Sequence, residues 1–480
     1  MNAMNMRDEP LVYELSREGR IGCSLPRSDV PSKEIPLEIA RSELDLPELD
    51  ELTVVRHFTR LSQKNFSIDT EFYPLGSCTM KYNPKANEVV ASNPGWKNLH
   101  PLVGEEYAQG AIELLWRLQE GLREVGGFAA ASLQPAAGAH GELSGVLMIH
   151  AALKERGETK RKKMLIPDSA HGTNPASCTM AGFTTQTIPS GLDGGVDMEA
   201  LRAALDDTIA GIMITNPNTL GLFEKNIEDI CRLVHEAGGF VYGDGANMNA
   251  LTGVFKPGRS GIDVMHFNLH KTFSTPHGGG GPGAGMVAAN ETLAPYLPGP
   301  IAVKADSVYR LEMPAKSIGR VKAFHGNFGV LVRAYCYLLM TGSDGLRQVA
   351  ENAVLNANYL KSLLENVYPV PYKRHCMHEF VAKGAIADTV HTLDIAKRLI
   401  DYGFHPPTIY FPLIVQEALM IEPTETESKE TLDLFAEAMK RIAEEASKNP
   451  ELLHDAPHIA PVARLDEVMA ARYPILCYRG

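Results

Sequence analysis

Four short segments carry side chains suited to one kind of chemistry. Lys271 lies just beyond the apolar run at residues 264–267, after Asn268, Leu269 and His270. The amine of a lysine set among apolar neighbours is a nucleophile that condenses with an aldehyde. Asp244 follows the run at residues 240–242, inside Tyr242-Gly243-Asp244-Gly245-Ala246-Asn247. A carboxylate there is costly to bury unless it meets a cation, and a protonated pyridine nitrogen is such a partner. A helix N-cap or a metal ligand is the plainer reading. His171, within Asp168-Ser169-Ala170-His171-Gly172-Thr173-Asn174-Pro175, offers a flat ring for stacking, although a lone histidine in a polar loop is more often structural. Residues 135–142 bring Ala136, Ala137, Gly138 and Ala139 to a helix start. Free N–H groups at such a start attract a phosphate, and small side chains let it approach.

An amine for an aldehyde, an acid for a ring nitrogen, an imidazole for a ring face and a helix start for a phosphate together describe one cofactor, pyridoxal 5′-phosphate (PLP). Each element alone is weak, and the ordered set is strong. The glycine run at residues 278–281 lacks G-x-G-x-x-G or P-loop spacing and precedes a strand, so NAD and ATP are not expected.

These residues need elements to position them. Short apolar runs at residues 164–166, 184–188, 209–215, 240–242, 264–267 and 285–289 read as buried strands. Apolar spacings of three and four predict helices over residues 105–125, from after Gly141 to Arg156, and over 227–237. Alternation of this kind implies an α/β fold, a mostly parallel sheet with helices on both faces, whose ligand crevice lies at the carboxyl ends of the strands. Residues 1–84 are broken by prolines and read as an extended arm with a helix near 48–61. Residues 85–335 form the large domain. Residues 336–480 read as a smaller α+β domain, with helices over 327–340, 345–365 and 427–447.

The 480-residue chain holds 46 basic and 58 acidic residues, a net charge of -12, so nucleic acid is not an expected partner. No apolar run approaches the roughly 18–20 residues of a membrane span. Seven cysteines without CxxC spacing, and no apolar leader in residues 1–30, point to a reducing cytoplasm. His375 and His378 flank Cys376 at a spacing that fits no standard metal site, and no metal is expected.

Several segments together carry a family likeness: His171-Gly172-Thr173-Asn174-Pro175-Ala176, residues 215–221, 242–247 and 268–283, and the arm motif at 72–84, from Phe72-Tyr73-Pro74-Leu75-Gly76-Ser77-Cys78 to Pro84. The chain resembles the glycine decarboxylase (P-protein) of the glycine cleavage system, specifically subunit 2, the PLP-bearing subunit of the split form. The resemblance runs through nearly the whole chain. It implies a fold type I PLP enzyme that decarboxylates glycine and transfers the aminomethyl group to the lipoyl group of H-protein. Its partner would be subunit 1, two copies of each forming the assembly. Residue by residue, it implies that Lys271 holds PLP, Asp244 pairs with the ring nitrogen, and His171 and Ala246 cover the two ring faces. Ala137, Gly138 and Ala139 would meet the phosphate with His270 and Asn268, and Asn216 and Asn247 the ring hydroxyl. Related folds often carry serine where Asn268 stands. Residues 73–83 are expected to line a channel for the lipoyl arm.

Two rivals stand beside this reading. One is another fold type I enzyme, such as an aminotransferase, a cysteine desulfurase or an amino-acid decarboxylase. The other is a scaffold subunit without chemistry, against which Lys271, Asp244 and His171 argue.

Overall fold

A computed structural model of the chain describes residues 9–278 and 283–477; most of the glycine run, 279–281, lies outside the described residues. Seven strands form the main sheet: β1 (Ala130–Ser132), β2 (Lys163–Pro167), β3 (Thr184–Ile188), β4 (Ile209–Thr215), β5 (Phe240–Gly245), β6 (Val264–Asn268) and β7 (Gly285–Ala289). Their order is β1-β7-β6-β5-β4-β2-β3, and only β7 runs against its neighbours. The expected mostly parallel α/β sheet is therefore present. Side chains of a strand alternate between faces, and here each face has its own core. Leu165, Ile212, Val241, Met265 and Phe267 pack on one face, against the helix Gln109–Gly126. Met164, Ile166, Met213, Tyr242 and Val264 pack on the other, against the helix Gly138–Glu155. The same alternation carries Asp244, His266 and Asn268 onto this second face, which becomes the polar end of the crevice.

Several boundaries differ from the pattern reading. The helix expected from residue 105 starts at Gln109, because residues Glu105–Tyr107 form a separate 3-10 turn. The helix expected after Gly141 starts at Gly138. Strand β5 continues past Tyr242 through Asp244, so the acid lies inside the strand rather than beyond it. The two helices expected at 327–340 and 345–365 are present within Phe328–Leu364 and part at the non-helical Gly342, whose φ of 60° suits glycine.

A second, antiparallel sheet contains β10 (Phe380–Lys383), β12 (Ala418–Ile421) and β11 (Thr408–Ile409), after a hairpin of β8 (Ile301–Ala305) and β9 (Val308–Glu312). It packs with the end of the long helix and with Lys429–Lys448 through Leu360, Leu364, Phe380, Ile421, Phe435 and Met439. The long helix serves both cores: Leu331 and Ala334 join the first, Ala357 and Leu360 the second. The arm adds the helix Glu51–Ser62, capped by Asp50 accepting from the Thr53 N–H at 2.8 Å. Beyond it, Leu75 bridges Ile421 at the small sheet. Among the described residues no helix is long and apolar enough to cross a membrane.

Candidate active site

Strand β6 ends at Asn268, and a turn closed by the Lys271 N–H on the Asn268 carbonyl, 3.1 Å, presents the lysine. Its ammonium donates to the carbonyl of Ser77 at 2.7 Å. One strand over, Asp244 is 2% exposed. It accepts from the Ala246 N–H at 2.9 Å and from Asn174 Nδ2 at 3.2 Å, with His266 Nε2 at 3.6 Å. Burial alone would raise the Asp244 carboxyl; His171, His266 and these donors outweigh it and leave it lowered to about 2. Asp244 is thus a buried carboxylate with negative charge to spare for a cation.

His171 lies in the same electrostatic neighbourhood. Burial lowers its pKa to about 4, with Asp244 acting against that shift and Lys271 and His266 adding to it. Its ring is parallel to Phe411, with centroids 6.2 Å apart, and Ser77 Oγ stands 3.3 Å from Nδ1.

The helix Gly138–Glu155 begins after an extended Ala137, φ -160° and ψ 175°, and no side chain caps it. The first N–H groups, Gly138 and Ala139 among them, are left for a ligand. A β carbon on Gly138 would fall 2.1 Å from Asn268 Nδ2, so the asparagine amide lies directly over the helix start. His270 joins it, with Nε2 at 3.4 Å from Asn268 Nδ2 and Nδ1 at 3.1 Å from the Ala284 carbonyl. These residues fit a phosphate, and Asp244 fits a cationic ring nitrogen.

The two asparagines assigned to the ring hydroxyl part company. Asn247 is buried with its Oδ1 unpartnered, while its amide donates to the Pro217 carbonyl at 2.8 Å. Asn216 is engaged elsewhere: Oδ1 accepts from the Glu224 N–H at 3.0 Å and Nδ2 reaches the Glu224 carbonyl at 3.5 Å. Its amide closes the loop after β4. Ala246 contributes its main-chain N–H to Asp244.

Pattern reasoning missed three acids and a histidine of the small domain. Alternate residues of the arm face them. The Ser77 N–H donates to Glu379 at 2.7 Å, Thr79 donates to Glu422 through N–H and Oγ1 at 2.8 and 2.6 Å, and Lys81 Nζ donates to Glu425 at 2.7 Å. Lys81 also reaches Asn249 and Tyr337. Glu379 and Glu422 are fully buried, and their oxygens lie within 4.8 Å of each other and of His378, whose ring nitrogens have no partner. Burial, reinforced by Glu422, raises Glu379 well above an ordinary carboxyl. Burial likewise pushes Glu422 up to about 7 and His378 down to about 3. The cluster thus sets two carboxyls whose ionisation burial opposes beside an imidazole with no hydrogen-bond partner. One sign of Glu422 was available: like Asp244, it follows an apolar strand-like run.

An apolar hollow of about 420 Å³ walled by Trp96, Leu99, Leu115, Phe324 and Phe328 shares no lining residue with this cluster.

Residues 349–458 match the model of the glycine dehydrogenase C-terminal domain. A protein of Caldanaerobacter subterraneus subsp. tengcongensis, named probable glycine dehydrogenase (decarboxylating) subunit 2, is 57% identical over 97% of this chain and 98% of its own. Its namesake from Bacillus licheniformis is 54% identical over 99% of this chain and 100% of its own. Among solved structures, an inhibitor-bound glycine decarboxylase (P-protein) superposes with a TM-score of 0.72 at 24% identity, covering 85% of this chain and 93% of that one. A cysteine desulfurase from Thermococcus onnurineus gives 0.61 at 13% identity, covering 78% and 95%. These likenesses show the type I fold of PLP-dependent enzymes. With more than half its residues shared along almost its full length, the chain belongs to the family of glycine dehydrogenase (decarboxylating) subunit 2.

Proposed function

We propose that this chain holds PLP on Lys271, releases the carboxylate of glycine as CO2 and passes the aminomethyl group to the lipoyl arm of an H-protein. What carries this reading is the meeting of Lys271, Asp244 and His171 in one buried neighbourhood beside an uncapped helix start. PLP, when bound, supplies an electron sink for the pair left behind by the departing carboxylate. Asp244 keeps a proton on the ring nitrogen, which its charge favours strongly. His171 covers one face and Ala246 the other, and Asn247 Oδ1 is free for the ring hydroxyl. Ala137, Gly138, Ala139, Asn268 and His270 receive the phosphate.

In this reading the arm, 1–84, closes the site over the large domain, 85–335, and ties it to the small domain, 336–480. The segment 73–83, which meets Lys271 through Ser77, forms a wall of the lipoyl channel. Subunit 1 completes the enzyme as an assembly of two copies of each chain, in the cytoplasm. The test is exchange of labelled bicarbonate into the glycine carboxyl, with this chain, its partner subunit and lipoylated H-protein together. Exchange dependent on all three supports the reading. Amino transfer to a keto acid, with no exchange, would replace it with an aminotransferase.

A further inference from the structure

Three polar residues on the second face of the sheet link the ring end of the site to its phosphate end. Tyr242, Asp244, His266 and Asn268 share that face through the alternation of β5 and β6, and Asp244 stands opposite His266 in the register. Tyr242 and His266 are fully buried and stacked, with centroids 6.1 Å apart. The Tyr242 hydroxyl bonds His266 Nδ1, and His266 Nε2 lies 2.8 Å from Asn268 Oδ1.

The hydrogens of this chain can be assigned from one end. His270 Nδ1 faces the Ala284 carbonyl at 3.1 Å, so Nδ1 carries a proton and donates it. Burial holds His270 at about 4, so it carries one ring proton at neutral pH and its Nε2 is an acceptor. The Asn268 atom facing Nε2 at 3.4 Å must then be the amide nitrogen. That turns Oδ1 to His266, whose Nε2 donates; in the singly protonated ring Nδ1 then accepts from the Tyr242 hydroxyl. Burial holds that hydroxyl far above an ordinary phenol, so it keeps its proton. The remaining Asn268 N–H is left above the helix start.

We propose that Tyr242 and His266 are positioning residues that fix the Asn268 amide with its nitrogen toward the phosphate monoester of the cofactor. The inference rests on the PLP reading above. It explains how an asparagine replaces the serine of related folds: an amide has a wrong way round, and the buried relay excludes it. Without the Tyr242 hydroxyl, His266 Nδ1 loses its donor, the Nε2–H tautomer loses its preference, and only the 3.4 Å contact with His270 keeps the amide nitrogen toward the phosphate.

The experiment titrates the full chain, freed of cofactor, with PLP and separately with pyridoxal, which lacks the phosphate. Tyr242→Phe is expected to weaken PLP about 10-fold and leave pyridoxal within about twofold. In an Asn268→Ser background, whose hydroxyl donates whichever way the relay points, Tyr242→Phe is expected to have no further effect on the ratio. Pyridoxal affinity reports folding, because a disordered site loses both ligands together. Equal loss of both ligands in Tyr242→Phe, or the same loss in the Asn268→Ser background, overturns the relay while leaving the cofactor in place. A wild-type chain that binds neither aldehyde overturns the cofactor reading and the relay with it.

Discussion

The ammonium of Lys271 is held by the carbonyl of Ser77, 194 residues earlier in the chain, at 2.7 Å. The same Ser77 gives its N–H to Glu379 of the small domain. One residue therefore joins Lys271 to Glu379, beside the antiparallel sheet, and the segment around Ser77 is part of the candidate site.

Replacing Lys271 with alanine removes the amine on which the cofactor is proposed to sit. Lys271→Ala is expected to show no visible absorbance after purification and to lose PLP on gel filtration. Activity should fall below detection. A variant that still carries the wild-type band would place the covalent link on another lysine.

Asp244→Asn keeps the shape and removes the charge. An asparagine would also have to accept from Ala246 N–H and Asn174 Nδ2 through a single oxygen. Turnover is expected to fall roughly 100-fold or more, the scale of losing one preorganised electrostatic contact, while PLP remains bound. Wild-type turnover in Asp244→Asn, measured as CO2 release, would show that the ring nitrogen does not depend on this group.

Much of this site was legible in the chain itself. Apolar runs of three to seven residues marked six of the seven main-sheet strands, all but the short edge strand β1, and the special residues stood at their carboxyl ends. The end of β5 was harder to read, because Gly243 and Gly245 interrupt the strand pattern. Gly245 is required: a β carbon there would fall 1.8 Å from the His266 carbonyl. Glu379 and Glu422 could not be placed by local pattern. They lie in another domain, and only the crossing of the arm brings them to Lys271. His378 was passed over because ligand spacing along the chain says nothing about a pairing made across a sheet. The loop contacts of Asn216 with Glu224 were likewise not legible, because they join residues eight apart across a turn.

Lys81 and Glu425 are both nearly fully buried, and they pin the arm to the small domain. Removing one partner strands the other charge in a dry setting, which typically costs about 3–5 kcal/mol. Lys81→Met is expected to lose stability on that scale in urea unfolding. The double variant Lys81→Met/Glu425→Leu should recover most of it, because no charge is then left unpaired. Equal loss in single and double variants would mean that packing, not charge, dominates.

Glu422 predicts a pH dependence with a definite sign. Its carboxyl ionises near 4.5 in the unfolded chain and near about 7 in the folded one. The folded chain therefore holds a proton that the unfolded chain has released, so this contribution is full below about 4.5 and declines as pH rises to about 7. Burial raises Glu427 to about 7 as well, and it adds to the same window. His171, His270 and His378, held at about 4 or about 3, bend the wild-type profile the other way below about 6.5. The two carboxyls are therefore read by difference: the melting temperature of wild type minus that of Glu422→Gln/Glu427→Gln should fall across that interval. An unchanged slope in the double variant would assign it to other groups.

Gly138 tests the anion site through space alone. Its missing β carbon leaves room for the Asn268 amide, whose Nδ2 and Cγ would otherwise lie 2.1 and 2.6 Å away. Asn268 is short and tied through Oδ1 to His266, so it cannot swing aside without breaking that bond. In Gly138→Ala the helix gains propensity worth up to about 1 kcal/mol, against an overpacking cost of about 1–3 kcal/mol. Stability should therefore fall by up to about 3 kcal/mol, and the displaced amide and the added methyl both block the phosphate. Affinity for PLP is expected to drop about 10-fold or more, the scale of a lost hydrogen bond to a charged group, with a smaller drop for pyridoxal. Equal affinity for PLP in wild type and Gly138→Ala, measured by titration of the cofactor-free chain, would move the phosphate away from this helix start.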